Sequence, residues 1–139
     1  MAQTASTSLL VADDDPYVQA TYKFCFEEAG FNVGVANDGN EVIAYLKRHK
    51  VDAVLLDIFM PKKDGFETLL DIKKQFPNVC VIVMTGGGTD PSIDYLAMAS
   101  QLGADRAVEK PASPQDLVRM VQASPCCSTG GATGCTRSP

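Results

Sequence analysis

The stretch DAVLLDIFM, residues 52–60, runs apolar through Ala53, Val54, Leu55 and Leu56 and then meets an acid, Asp57. A strand with one wet face alternates apolar and polar residues. This one does not, so both of its faces are expected to be covered. A strand covered on both faces belongs to a parallel sheet with helices packed above and below. Asp57 then stands at the exit of a buried strand.

The flanking sequence repeats the same grammar. Upstream, SLLVA (8–12) is a short apolar run. Asp15 and Pro16 after it suit an N-cap and a first helical residue. Val18, Thr21, Tyr22, Cys25 and Ala29 follow at helical spacing, and Gly30 ends that helix. FNVGVA (31–36) is strand-like, and Asp38 opens a second helix with Val42, Ile43 and Leu46 on one face. Downstream, Asp64 and Gly65 open a third helix carrying Phe66, Leu69, Leu70 and Ile72, which Pro77 stops. VCVIVM (79–84) predicts another buried strand. Asp90-Pro91 after TGGGTDP restarts a helix to about Leu102. RAVEK (106–110) predicts a last strand. Ser113, Pro114 and Asp116 predict the start of a final helix with Leu117, Val118, Met120 and Val121. The chain is thus strand–helix five times over, one domain across residues 8–123. The segment 124–139 is rich in Ser, Thr, Gly and Pro and is expected to be disordered.

Composition narrows the function classes. A net charge of -5 over 139 residues, with the one basic run Lys47–Arg48–His49–Lys50 closing a helix, argues against a nucleic-acid partner. No apolar run approaches a membrane span and the start MAQTASTS is no secretory signal, so no membrane partner and a cytoplasmic location are expected. Of the five cysteines, Cys25 and Cys80 fall among apolar residues and are expected in the core. Cys126, Cys127 and Cys135 lie in the tail, and the odd count argues against a disulfide framework.

In an open α/β sheet, ligands sit beyond the carboxyl ends of the strands. The residues expected there are Asp13 and Asp14, Asp57, Thr85 and Lys110. Two carboxylates about 4 Å apart repel by roughly 4 kcal/mol at an effective dielectric near 20. Three acids at one edge therefore call for cations, from Lys110 and from a hard divalent ion with oxygen ligands such as Mg2+. Each residue also has a plainer reading: a solvated turn at residues 13–15, a strand-end hydroxyl at Thr85, a surface lysine at Lys110. Gly86, Gly87 and Gly88 read as a flexible turn, since no Gly-Lys-Ser/Thr of a phosphate-binding loop follows.

The pieces LLVADDDP (9–16), VLLDIFMPKKDG (54–65), VIVMTGG (81–87) and AVEKP (107–111), in this order, resemble a response-regulator receiver domain of two-component signalling. The resemblance covers about residues 8–123. It implies a flavodoxin-like, doubly wound five-stranded parallel sheet of order 2-1-3-4-5 with five helices. It implies that Asp57 accepts a phosphoryl group from a histidine kinase or a histidine phosphotransfer protein. Asp13, Asp14, Asp57 and the backbone carbonyl of Phe59 would hold Mg2+. Thr85 and Lys110 would bind the phosphoryl group, and Pro61 and Gly65 would shape the loop after Asp57. Such a protein is not an enzyme on other substrates; it turns over its own aspartate and acts on a downstream protein target.

Two other readings compete. Asp13-x-Asp15 after the first strand is also the pattern of haloacid-dehalogenase-like phosphatases, but only Asp116 follows Lys110 to bind their metal and Asp57 would have no role. A degenerate receiver acting only as a binding module would not need the full set of five side chains. One position departs from the resembled family: Ala107 occupies the place three before the lysine where an aromatic residue is common. With no rotamer to switch there, the glycine loop after Thr85 and the start of the next helix are expected to carry the change. No output domain follows, so a stand-alone receiver is expected.

Overall fold

The computed structural model describes residues 7–59, 65–86, 92–109 and 112–123. Five strands and five helices alternate: β1 (Ser8–Ala12), α1 (Pro16–Glu28), β2 (Asn32–Ala36), α2 (Gly39–Arg48), β3 (Ala53–Asp57), α3 (Gly65–Gln75), β4 (Cys80–Thr85), α4 (Tyr95–Gln101), β5 (Arg106–Glu109) and α5 (Pro114–Ala123). The strands form one parallel sheet in the order β2-β1-β3-β4-β5, the doubly wound arrangement expected.

The interior strands are dry on both faces because successive side chains point to opposite sides. Leu10, Ala12, Val54, Leu56, Val81 and Val83 pack with Val42, Leu46, Leu69, Ile72 and Ala99 of α2, α3 and α4. Leu9, Val11, Leu55, Ile82 and Met84 pack with Tyr22, Phe26, Leu117 and Val121 of α1 and α5. The edge strands β2 and β5 are less covered, and each has exposed positions.

Local chemistry sets the helix ends. Asp15 accepts from the Tyr17 N–H at 2.9 Å with Pro16 as first helical residue, and Asp38 accepts from the Glu41 N–H at 3.0 Å. Gly30 takes φ 96° just beyond α1, a left-handed conformation that costs glycine nothing. Ser113 Oγ accepts from the Asp116 N–H at the start of α5.

Three expectations shift. The buried face of α1 is Gln19, Tyr22 and Phe26 rather than the face through Thr21 and Cys25, and Cys25 is only half-buried. Leu70 of α3 points outward while Thr68 is fully buried. α4 begins at Tyr95, capped by Asp94, whose carboxylate accepts from the Ala97 N–H at 3.0 Å. Asp90-Pro91, expected to open it, lies outside the described residues, as does the segment 124–139.

A polar tie across the sheet's far end had no sequence signal. Asp105 Oδ2 accepts from the Val81 N–H at 2.8 Å and from Lys73 Nζ at 2.9 Å, and the same ammonium donates to the Val79 carbonyl at 3.2 Å. The Asp105 side chain is only 4% exposed. Asp105→Ala is expected to cost about 2 kcal/mol, because it strips a buried N–H of its acceptor and Lys73 of its counter-ion. Asp105→Asn, which keeps an acceptor oxygen, is expected to lose less. Urea denaturation reads both, and an unshifted midpoint in the alanine variant would contradict the assignment.

Candidate functional site

Register brings the acids together. β1 and β3 are neighbours with Ala12 opposite Leu56, so the next residues, Asp13 and Asp57, leave the sheet side by side. Asp57 pairs with Met84 on β4, which sets Thr85 one step further along the same edge. The chain passes from β1 to α1 on one face and from β3 to α3 on the other. The crevice between β1 and β3 is therefore the switch point of the sheet, where such folds bind ligands.

Asp13, Asp14 and Asp57 each offer a carboxylate oxygen, and these three oxygens lie within 4.8 Å of one another. Asp13 and Asp57 are buried at 1% and 4% exposure, while Asp14 is exposed and opens the group to solvent. Thr85 is buried beside them at 2%. Asp13 Oδ1 accepts from the Asp15 N–H at 3.0 Å, and Asp57 Oδ1 accepts from the Phe59 N–H at 3.1 Å. Each of these buried acids is thus fixed by a main-chain donor two residues along its own loop. Three closely spaced carboxylates form an all-oxygen donor set with excess negative charge, which fits a hard divalent cation.

The loop after Asp57 is pinned to the sheet. The Ile58 N–H donates to the Met84 carbonyl at 3.0 Å, and the Gly65 N–H donates to the Ile58 carbonyl at 3.0 Å. α3 therefore starts directly against the strand exit, and Gly65 is buried there. The Phe59 ring is 44% exposed. It meets Tyr95, the first residue of α4, edge-on at 5.2 Å between ring centres, and Tyr95 also faces Phe66 at 6.4 Å.

Of the site residues expected from sequence, Asp13, Asp14, Asp57 and Thr85 gather at this edge, with Phe59 on the loop above. Lys110 and Pro61 lie outside the described residues; β5 ends at Glu109, opposite Thr85. One contributor escaped the sequence reading: Gln19 is a polar residue turned inward on α1. Tyr95 lies at the helix start expected to carry the change, and its contact with Phe59, which the sequence did not reveal, links α4 to the Asp57 loop.

Residues 9–122 match the family model of the response regulator receiver domain. The transcriptional regulatory protein CpxR of Klebsiella pneumoniae subsp. pneumoniae (strain HS11286) is 36% identical over 115 residues, 83% of this chain and 47% of that protein. The chain thus spans about half the length of that relative. Among solved structures, a CheY-like receiver domain protein from Methanospirillum hungatei JF-1 superposes with a TM-score of 0.78 at 26% identity, covering 85% of this chain and 92% of that one. The receiver domain of Francisella response regulator 1452 gives 0.76 at 30% identity, over 84% and 94%. The chain belongs to the response regulator receiver domain family, a signalling module of two-component systems rather than an enzyme of the ordinary kind. The phosphatase and the binding-only readings are not favoured by this membership. Among the described residues, no helix is long and apolar enough to cross a membrane.

Proposed function

We propose that this receiver stores a signal as an acyl phosphate on Asp57. The single observation that carries the reading is the convergence of the Asp13, Asp14 and Asp57 carboxylates at the switch point of the sheet. The donor is a histidine kinase or a histidine phosphotransfer protein, and the product is read by a downstream protein target. An Asp57 oxygen attacks the phosphorus, the bond from phosphorus to the donor nitrogen breaks, and the imidazole leaves with the electron pair. Asp13, Asp14, Asp57 and the Phe59 carbonyl would hold Mg2+, which supplies charge neutralisation for the incoming phosphoryl oxygens. The Thr85 hydroxyl and the Lys110 ammonium bind those oxygens once the group has arrived. Incubation with Mg2+ and acetyl phosphate, followed by intact mass and peptide mapping, tests the reading. One added phosphoryl group on the peptide containing Asp57 supports it, and none overturns it.

Release of the phosphoryl group needs a water aligned behind it. Phe59, two residues past Asp57, has no group to orient one, and its half-exposed ring shields that approach. Phe59→Asn is expected to speed loss of the phosphoryl group several-fold, read as decay of the phosphorylated species after donor removal. An unchanged rate would refute the shielding role. The Phe59–Tyr95 contact also gives the loop a direct mechanical link to α4. Ala107 on β5 offers no such link, so α4 is the element best placed to report occupancy of the site.

A further inference from the structure

The inward turn of Gln19 has a consequence for the acids. Gln19 sits in the first turns of α1 and is buried at 9% exposure. Its Nε2 donates to the main-chain carbonyl of Asp13, to Asn37 Oδ1 at 2.8 Å and, more weakly, to the Ala36 carbonyl at 3.3 Å. Main-chain carbonyls only accept, so the amide nitrogen and not its oxygen must face them. With two hydrogens for three oxygens, the longest contact is the shared one. Asp13 itself donates its N–H to the Ala36 carbonyl at 3.1 Å, and its Oδ1 accepts from the Asp15 N–H. Gln19 therefore holds Asp13 by its main-chain carbonyl, next to the N–H that the Ala36 carbonyl holds. In doing so it bolts the loop after β1 to the loop after β2.

We propose that Gln19 is a positioning residue for the acid pocket, holding the Asp13 main chain so that its carboxylate is set for a divalent cation before the ion arrives. The inference rests on the reading of the pocket as a Mg2+ site. The three acids repel one another when no cation is present, and the loop carrying two of them would relax outward unless something restrained it. Mg2+ tolerates little deviation from octahedral geometry, so a ligand held loosely is a ligand partly lost. Groups that orient metal ligands without touching the metal are commonly worth tenfold or more in affinity. The hydrogen bond runs to the backbone of Asp13 and not to its carboxylate, so it does not compete with a cation for the carboxylate oxygens.

The test uses the full unphosphorylated chain with Mg2+ as the probe. Binding is measured by titration calorimetry, and phosphorylation by acetyl phosphate is measured at saturating Mg2+. Gln19→Met keeps the length and removes the donors. Gln19→Asn keeps the amide but falls short by one methylene. Both are expected to raise the Mg2+ dissociation constant by about tenfold while most of the phosphorylation rate returns at saturating Mg2+. Should one of them fail to fold, the other decides. Asn37→Ala removes an acceptor of Gln19 but leaves the bond to Asp13, so its Mg2+ affinity is expected to stay near that of the unaltered chain, whatever happens to its melting temperature. Unchanged Mg2+ affinity in the folded Gln19 variants would overturn the proposal and leave the metal site standing. An unaltered chain that binds no Mg2+ would overturn the metal-site reading and this inference with it.

Discussion

Asp57→Asn is expected to abolish phosphate uptake. The amide nearly matches the carboxylate in shape, so the Phe59 N–H keeps an acceptor oxygen and the loop keeps its course. What disappears is the anionic oxygen that, on the proposed reading, attacks phosphorus. The neighbouring acids are poor substitutes. Asp13 turns one oxygen onto the Asp15 N–H, and Asp14 lies exposed at the rim. On the proposed reading both also hold the cation that balances the charge of the incoming group, so spending either as the nucleophile would remove one of that cation's ligands. Intact mass after treatment with acetyl phosphate should show no phosphorylated species in the variant, and chelation of Mg2+ in the unaltered chain should come close to the same result. Asp13→Asn is expected to slow uptake through weaker Mg2+ binding without relocating it. A phosphatase using Asp13 as its nucleophile would show the opposite ranking. Stoichiometric, acid-stable phosphate on the Asp57→Asn chain would defeat the acyl-phosphate reading.

The acids could be found from sequence because their placement follows from topology. Once Leu9–Ala12 and Ala53–Leu56 are recognised as buried parallel strands, the residues that follow them must emerge at one edge. The caps at Asp15 and Asp38 were legible for a different reason: their hydrogen bonds reach only two or three residues ahead, within the span that a sequence pattern can encode. What was not legible depends on partners far along the chain. Gln19 reads as a surface residue until the Asn37 loop arrives beside it. Asp105 has no visible purpose until Lys73 and Val81, more than twenty residues away, close around it. The start of α4 was read at Asp90-Pro91 because an aspartate before a proline is a strong opening signal, and Asp94, the cap in the structure, was passed over. Tyr95, capped by Asp94 and lodged against Phe59 and Phe66, fixes where the described helix begins. Leu70 misled in the usual direction: a single exposed leucine costs little, so helical spacing alone does not reveal which side of α3 is wet.

Gly65→Ala is expected to damage both stability and chemistry, and the geometry says why the two losses come together. A Cβ at this position would stand 2.4 Å from Ile58 Cα, 2.6 Å from the Ile58 carbonyl oxygen and 2.7 Å from the Asp57 carbonyl oxygen. All three are backbone atoms with no rotamer to yield, so α3 or the strand exit must move by about an ångström. The cost of such overpacking is about 2 kcal/mol. The hydrogen bond from the Gly65 N–H to the Ile58 carbonyl, 3.0 Å in the intact chain, is stretched by the same movement and adds about 1 kcal/mol. The displaced atoms belong to Asp57, the proposed nucleophile, and to its neighbour Ile58. A misplacement of that size at a reacting group lowers rate by about a hundredfold. Gly65→Ala should therefore show a clear drop in melting temperature together with slow phosphorylation that extra Mg2+ does not restore, since the fault lies in the aim of Asp57 rather than in cation affinity. That behaviour separates it from the Gln19 variants, whose defect saturating Mg2+ repairs. A Gly65→Ala chain that melts and phosphorylates like the unaltered one would mean that α3 does not rest on the Asp57–Ile58 backbone in solution, and the placement of the nucleophile would have to be attributed to other contacts.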